Sequence, residues 1–587
     1  MFELAEIEAA GLGGPAGSAG SADLAGSAGL GGSADLAGSA GPGADTLENK
    51  IIYALGYHMM EGHSFYPMRD FCIEVSEYAD VISGLVRDTV ESMAFNGKLM
   101  VTRLSGREVV YFYSYYKAEN YVAGKLANLA DFRLKPIRDV NSFIKKYESE
   151  KGIRLSEKQK LAVKGCLAGG VSVITGGPGT GKTTILNCIV DILMGQKFKV
   201  AVCAPTGRAA KRIMETGGYP AVTIHRLLEY YYDEVKEKMQ FGKTEENPLD
   251  LDAIVVDECS MIDLKLMEAL TKATKLGTRL ILVGDSDQLP SVGAGNVLRD
   301  LIESDYFYTA RLTEIYRQAM ESEIITAAHA INRGEHPEID SFDGGAADGM
   351  NVEAGGAADG AESGADLLFI SAKQQADIQD AIVETAVKFN LDEVQILTPV
   401  KKKILGTESL NQRLQAVFNP PAADKAELKY GKKYFRVGDR VMQIKNDYSL
   451  SGGVFNGEIG IVKGIDTEDK TVTVMYENSL ASANPSEKEY RFIEYEYIKL
   501  EELELAYAVT VHKSQGSEYK AVIIPISWFP PVLATRSLIY TAITRGKEKV
   551  ILIGERDYLN AMVDNDRAKY RLSGLKERLC NILMGTN

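Results

Sequence analysis

The sequence predicts an α/β protein. Two blocks of parallel sheet are wound with helices, a small β-barrel is inserted into the second block, and a compact module of helices and one hairpin precedes both. Three observations carry this prediction. Between about Val140 and Leu301, short apolar runs (VSVITGG, KVAVCAP, LDAIVVDE, RLILVGD) alternate with helical patterns, as strand–helix–strand crossovers require. A second set, VQILTPV, AVIIPI and KVILIG, repeats that alternation downstream. Between its halves, Tyr434 to Leu500 reads as four β-rich runs parted by glycine-marked turns: YFRVGDRVMQI, EIGIVKGI, KTVTVMYE and YRFIEYEYIKL.

In chain order, residues 1–45 form a tail and linker. Gly11 to Ala44 is nearly all Gly, Ala and Ser, with SADLAGSAG at Ser21–Gly29 and again at Ser33–Gly41. Such a segment buries too little apolar area to offset its ordering entropy. Residues 46–135 form an accessory domain. Its helical pattern ends in two β-rich runs, Lys98–Arg103 and Glu108–Tyr113, which fit a winged-helix-like module and equally a plain packing domain. Residues 136–304 form the first sheet block, with an insertion at 229–248. Residues 305–430 and 506–587 form the second block, and 431–505 the barrel within it. A flexible loop is expected at 343–366, where GGAADG occurs twice, at Gly344–Gly349 and Gly355–Gly360.

The formal net charge of −15 excludes a wholly basic coat for nucleic acid, although positive charge need only line one groove. Six scattered cysteines with no CxxC pair argue against a zinc or disulfide framework and for a reducing cytoplasm. No run of about 18 apolar residues predicts a membrane span. The start, MFELAEIEAAGLGG, has neither the basic residues nor the apolar run of a secretory signal.

The chemistry begins at Gly176-Gly177-Pro178-Gly179-Thr180-Gly181-Lys182-Thr183, which fits GxxxxGK[ST] after a strand and before a helix. Glycines let backbone N–H groups close on phosphate oxygens, Lys182 adds a charge, and the Thr183 hydroxyl suits Mg²⁺. Asp257 and Glu258 end the strand AIVV. One carboxylate there can hold Mg²⁺ and the next can activate water. Gln288, in LVGDSDQLP, can sense the γ-phosphate or the water, or be a polar turn residue.

The ordered motifs GGPGTGKTT, APTGRAAKR, TIHRLL, VVDECSM, GDSDQLPSVGAGNVL, LTEIYRQ, VTVHKSQGSEY and YTAITRGK span about Leu155 to Lys547. Together they resemble the RecD-like 5′-to-3′ helicases of superfamily 1B. Thr46–Leu129 further resembles the domain preceding the motor in the longer RecD-like type, here with a shortened N-terminal region. The resemblance implies two RecA-like motor domains with ATP and Mg²⁺ between them, an SH3-like barrel, and action in DNA repair or recombination. It implies that Gln159 reads adenine and that Gly177, Pro178, Gly179, Thr180, Gly181, Lys182, Thr183 and Thr184 cradle phosphates. Glu518 would contact sugar or phosphate, and Thr183 and Asp257 would hold Mg²⁺. Arg317 and Arg545 would be arginine fingers, in a catalytic set with Lys182, Asp257, Glu258 and Gln288.

Thr206, Arg208, His225, Thr510, His512 and Lys513 match positions that grip the phosphate backbone, and Pro290 and Val292 are placed to touch bases. The two histidines read equally well as structural residues, and Trp528 as a packing residue. The insertion Glu229–Pro248, with Tyr230, Tyr231, Tyr232 and Phe241, stands where RecD-like helicases carry a strand-separating pin; the plain alternative is a solvated loop. The expected partners are single-stranded DNA and its junctions with duplex. Two rival readings stay open: a motor subunit of a multi-subunit recombination nuclease, and a DNA-stimulated ATPase clamp that does not unwind.

Overall fold

The structure, a computed structural model, describes residues 46–233, 236–314, 322–343, 365–389, 393–447, 454–477, 490–567 and 570–585. The expected linker at Gly11–Ala44, Arg317 and all but the ends of the 343–366 loop lie outside the described residues.

The first sheet has six parallel strands. Their order is Tyr308–Leu312, Val171–Gly176, Arg279–Gly284, Ala253–Val256, Val200–Ala204 and Ala221–Thr223. Val171–Thr175 is buried at every position, as a strand covered on both faces must be. Helices Lys182–Gly195 and Glu157–Ala168 pack one face through Ile185, Ile189, Val163 and Cys166. Helix Leu264–Ala273 covers the other through Leu264, Met267 and Leu270. Each such fully buried aliphatic side chain contributes about 1.5–3 kcal/mol.

The second sheet also has six parallel strands: Ser341–Asp343, Leu367–Ser371, Gly546–Gly554, Tyr519–Ile526, Val394–Thr398 and Ala508–Thr510. Inserted in it is a five-stranded antiparallel sheet, ordered Tyr490–Tyr495, Thr471–Glu477, Ile459–Asp466, Arg440–Gln443 and Leu503–Leu505. Its interior holds Val441, Val462, Val474, Tyr476, Ile493 and Tyr495, and along Thr471–Glu477 the buried residues alternate with outward ones. The α/β class with its inserted barrel is therefore present.

Two expected boundaries move. Tyr308–Leu312 pairs with Val171–Gly176, so the first block continues past 304 to Leu312. A strand adjacent in sequence to the second block is drawn to the first because the first sheet's edge offers its unpaired backbone there. The C-terminal helix Leu575–Met584, assigned with the second block, packs instead on helix Tyr113–Asp131 and on the first block, through Leu575 and Leu579.

The N-terminal module is three helices, Leu47–Met60, Met68–Ala79 and Ser83–Phe95, and the hairpin Leu99–Leu104/Arg107–Phe112. Its core includes Leu55, Phe71, Val75, Val90 and Val110. Helix Tyr113–Asp131 then lays Ala118, Val122, Leu126 and Leu129 on the first block, at the spacing of one helix face. Arg571 fastens the junction. It is half-buried, and its guanidinium donates to the carbonyls of Gly293 and Gly295, both 3.2 Å away. Glu119, fully buried, accepts from Tyr111 Oη at 2.8 Å, from Gly574 N at 2.9 Å and from Ser64 Oγ at 2.5 Å, and meets Arg578 at 3.2 Å.

Candidate active site

The phosphate loop joins a buried strand to helix Lys182–Gly195, and its shape follows from its glycines. Gly179 (φ 72°) and Gly181 (φ 83°) take left-handed backbone that a side chain would strain. The turn aims the loop's N–H groups and the helix N-terminus at one concavity. Thr180 Oγ1 locks the loop by donating to Gly177 O at 2.8 Å. Lys182 Nζ donates to Gly176 O at 2.6 Å and Gly177 O at 3.0 Å, so its charge stands within the cradle. Pro178, Thr183 and Thr184 are half-buried around it. Gln159 is buried and serves a helix start: its Oε1 accepts from Ser156 N at 3.0 Å, in a reciprocal cap.

Asp257 and Glu258 stand at the end of their strand beside the cradle, and the charge of Lys182 bears on Asp257. Burial, and then Glu258 beside it, push the Asp257 carboxyl above the usual carboxylate range. Glu258 holds φ 54°, a sparsely populated conformation that a non-glycine residue keeps only where its surroundings enforce it. Gln288 directs Nε2 at Asp285 Oδ2, 3.5 Å away, while its Oε1 is buried without a partner.

The second block closes over this half-site. Glu518 ion-pairs with Arg212 of the first block and with Lys547 of its own at 3.1 Å; Arg212 also lies 3.7 Å from Glu258. Arg208 Nη1 donates to Ser517 Oγ and Tyr519 Oη, both at 2.8 Å. Gln515 Nε2 donates to Leu289 O at 3.0 Å. Three participants were not singled out as site residues by the sequence. Tyr540 Oη donates to Asp285 Oδ2 at 2.7 Å, and His329 Nε2 lies 3.2 Å from Pro178 O on the phosphate loop. Only a carbonyl faces that nitrogen, so Nε2 carries the proton. Asp285 is buried at a strand end, where burial raises its carboxyl. The GDSDQ context could have marked Asp285 and the YTAITRGK motif Tyr540, but His329 comes from a distant helix outside every motif.

Several expected positions are engaged elsewhere. Arg545 does not reach the phosphate loop. It is 2% exposed, and its guanidinium donates to Thr541 O and Ser517 O, each at 3.1 Å, because a buried guanidinium needs acceptors wherever it lies. Arg208 is held between the blocks by two hydroxyls, with no carboxylate paired to it within salt-bridge distance among the described residues. Lys513 is paired with Glu504 at 2.7 Å, and burial lowers its ammonium below the usual range. Burial pushes His225 and His512 down to about 4, so both are neutral at pH 7. His225 meets Tyr230 edge-on and Phe241 at a tilt. Thr206 caps helix Gly207–Gly217 and Thr510 accepts from Lys513 N at 3.3 Å. Pro290 is half-buried, and Val292 is exposed.

The 229–248 insertion contains an antiparallel hairpin, Tyr230–Asp233 with Lys238–Phe241. Tyr230 and Phe241 pack together at its base, 4.7 Å between centroids, while Tyr231 and Tyr232 are exposed. Glu245 ties the base to helix Tyr113–Asp131 by accepting from Tyr121 Oη at 2.7 Å.

Three family models match: an AAA domain over residues 154–349, the SH3 domain of ATP-dependent RecD-like DNA helicases over 410–476, and a UvrD-like helicase C-terminal domain over 505–553. Among curated relatives, the chain is 31% identical over 502 residues to the ATP-dependent RecD2 DNA helicase of Deinococcus radiodurans. That match covers 84% of this chain and 63% of the relative's length. It is 32% identical to the RecBCD enzyme subunit RecD of Mycolicibacterium smegmatis, over 72% of this chain and 75% of that protein. Among solved structures, the Pif1 helicase from Candida albicans matches 69% of this chain and 96% of its own, at 18% identity and a TM-score of 0.41.

Proposed function

The chain belongs to the RecD-like family of helicases, and on that premise we propose that it is an ATP-dependent DNA motor that steps 5′ to 3′ along a single strand and unwinds duplex. The observation that carries this reading is a nucleotide site divided between two sheets. The phosphate loop, Asp257 and Glu258 stand on the first, and Glu518, His329 and Tyr540 of the second face them. Such a site is complete only when its halves approach, so nucleotide binding and release move the two blocks.

In this proposal Lys182 and the loop N–H groups hold the β- and γ-phosphates, and Gln159 lies on the adenine side. Glu258 takes the proton of the attacking water, oriented by Gln288. Thr183 and Asp257 fit Mg²⁺. They offer a hydroxyl and a carboxylate, and no cluster of three or more His, Cys, Asp or Glu stands among the described residues to form a full protein cage. Mg²⁺ accepts such a partial set because it retains water and substrate phosphates as ligands, and it would neutralise phosphate charge there. Arg317 and Arg545 are the proposed fingers. Arg545 would have to exchange Ser517 O for a phosphate oxygen as the blocks close. Thr206, Arg208, His225, Pro290, Val292, Thr510, His512 and Lys513 are the proposed strand-facing set, and repair or recombination is the proposed setting.

A second reading has one observation behind it, the likeness to a RecBCD subunit: a motor within a larger nuclease. A stable complex with large partners on purification would favour it. The test of the main reading is unwinding of paired substrates that differ only in tail polarity. Duplex with a 5′ tail is opened, a 3′-tailed duplex is not, and Lys182→Ala abolishes both unwinding and strand-stimulated ATP turnover. Opening of the 3′-tailed substrate instead overturns the polarity, and parental turnover in Lys182→Ala overturns the site.

A further inference from the structure

The carboxyl-terminal edge of the second sheet carries a group of residues that the nucleotide site does not use. The loop after Val394–Thr398 holds Lys401, Lys402 and Lys403. The loop after the adjacent parallel strand, Tyr519–Ile526, holds Trp528. Lys403 Nζ lies 5.3 Å from the indole centroid. Trp528, the single tryptophan of the chain, is 51% exposed and so is not the packing residue its sequence context allowed. Lys403 holds φ 73°, a conformation of the kind that clusters at ligand clamps. The loop that presents Lys403 is held in place, with Lys403 O accepting from Gly406 N at 3.0 Å and Leu405 buried beneath it, while the indole keeps one face open to solvent.

The charge there is one-sided. Burial pushes the Glu504 carboxyl up, but Lys513, Lys433 and Lys401 outweigh it and hold it below the usual range. Three lysines thus face one carboxylate, with Lys402 and Lys403 exposed beyond them. The construction also repeats that of the first sheet. Strand Val200–Ala204 runs into Pro205-Thr206-Gly207-Arg208, and strand Val394–Thr398 runs into Pro399-Val400-Lys401-Lys402. Ligands of parallel sheets lie outside these carboxyl-terminal strand ends.

We propose that Trp528 and Lys401–Lys403 form a single-stranded DNA platform on the second motor domain, with a base stacked on the open face of the indole and the lysines on the flanking phosphates. The inference rests on the motor reading and extends it. Every base has a π-face, so stacking is indifferent to sequence, and it gives the second domain a grip of its own. A motor that alternates its hold needs one grip on each domain.

The single tryptophan makes the test direct. Oligo(dT) is titrated into the intact chain while indole emission and the anisotropy of a labelled oligonucleotide are both followed. Indole emission is quenched with the same midpoint as the anisotropy change. Trp528→Ala weakens binding about 5- to 150-fold, the range for one lost base–aromatic stack, and Trp528→Phe restores most of it. Replacing Lys401, Lys402 and Lys403 by Ala lowers the slope of log K against log salt by about two, near 0.7 per cation on single strands. Unchanged emission while anisotropy reports tight binding overturns the platform and leaves the motor reading intact, as does parental affinity in Trp528→Ala. Absence of any DNA binding overturns both. Quenching by a peptide or protein fraction but not by oligo(dT) assigns the surface to a protein partner and overturns the proposal.

Discussion

At the residue scale, the groups of the proposed nucleotide site are tied to groups that report where the second block stands. His329 is the plainest case. Its Nε2–H donates to Pro178 O, and three residues along the same helix Asn332 donates to Asp287 Oδ2 at 2.8 Å. One helix edge thus touches both the phosphate loop and the loop that carries Gln288. His329 is a positioning residue, because it acts through the phosphate loop. His329→Leu removes the donor without a cavity, and strand-stimulated kcat falls about five- to tenfold, as expected for one lost hydrogen bond. Unstimulated turnover and melting temperature hold. His329→Gln, which retains an N–H, recovers most of the stimulation. A melting temperature that falls in step with kcat, with no recovery in His329→Gln, would reduce His329 to a structural contact.

At the element scale, the hairpin at 230–241 divides into two parts. Tyr230 and Phe241 belong to the base, where they enclose His225, and Glu245 anchors that base to helix Tyr113–Asp131. Tyr231 and Tyr232 stand in solvent. An exposed aromatic pair on a short hairpin can stack on the last base pair of a fork, where opening costs about 1.4 kcal/mol per step. Replacing Tyr231–Gln240 by a two-residue Asn-Gly turn keeps the base pair Tyr230–Phe241 and removes the wedge. Strand-stimulated ATP turnover then persists while strand separation is lost, read in parallel on one preparation. Unwinding at the parental rate would leave the hairpin as a surface loop.

At the scale of the whole molecule, neutral, half-buried histidines set a pH window. Burial holds His63, His225 and His512 down at about 4, against an ordinary value of 6.5. A depressed folded value means that the unfolded chain binds the proton first. The stability these residues contribute is therefore complete above about pH 6.5 and is lost as pH falls toward about 4. Each adds up to about 1.4 kcal/mol per pH unit to the slope. His58 acts in the opposite sense: burial opposes its protonation, but Glu61 and Glu74 prevail and raise it. Denaturation midpoints measured from about pH 6.5 to 5, above the range of ordinary carboxylates, fall with pH. His225→Phe keeps the aromatic packing and shows a shallower slope. Equal slopes in the two proteins would contradict a neutral His225.

What the sequence determined by itself was local chemistry and local periodicity. The turn from Gly176 to Thr183, the carboxylates after AIVV and the strand runs of both sheets each lie within a few residues, and backbone sterics or period-two burial fix them without distant partners. Tertiary structure alone decided which residues share a cleft and which charges are already answered. Nothing near Tyr308 in sequence says that it will pair beside Val171–Gly176, and nothing near His329 says that it will stand over the phosphate loop. Lys513 and Arg545 read as open cations in their motifs, yet burial obliges each to find an acceptor at once, Glu504 for one and backbone carbonyls for the other. Trp528 was open to reading as a packing residue and is half in water. The reason is common to all of these: desolvation acts on where a side chain ends up in space, and the sequence records only where it starts along the chain.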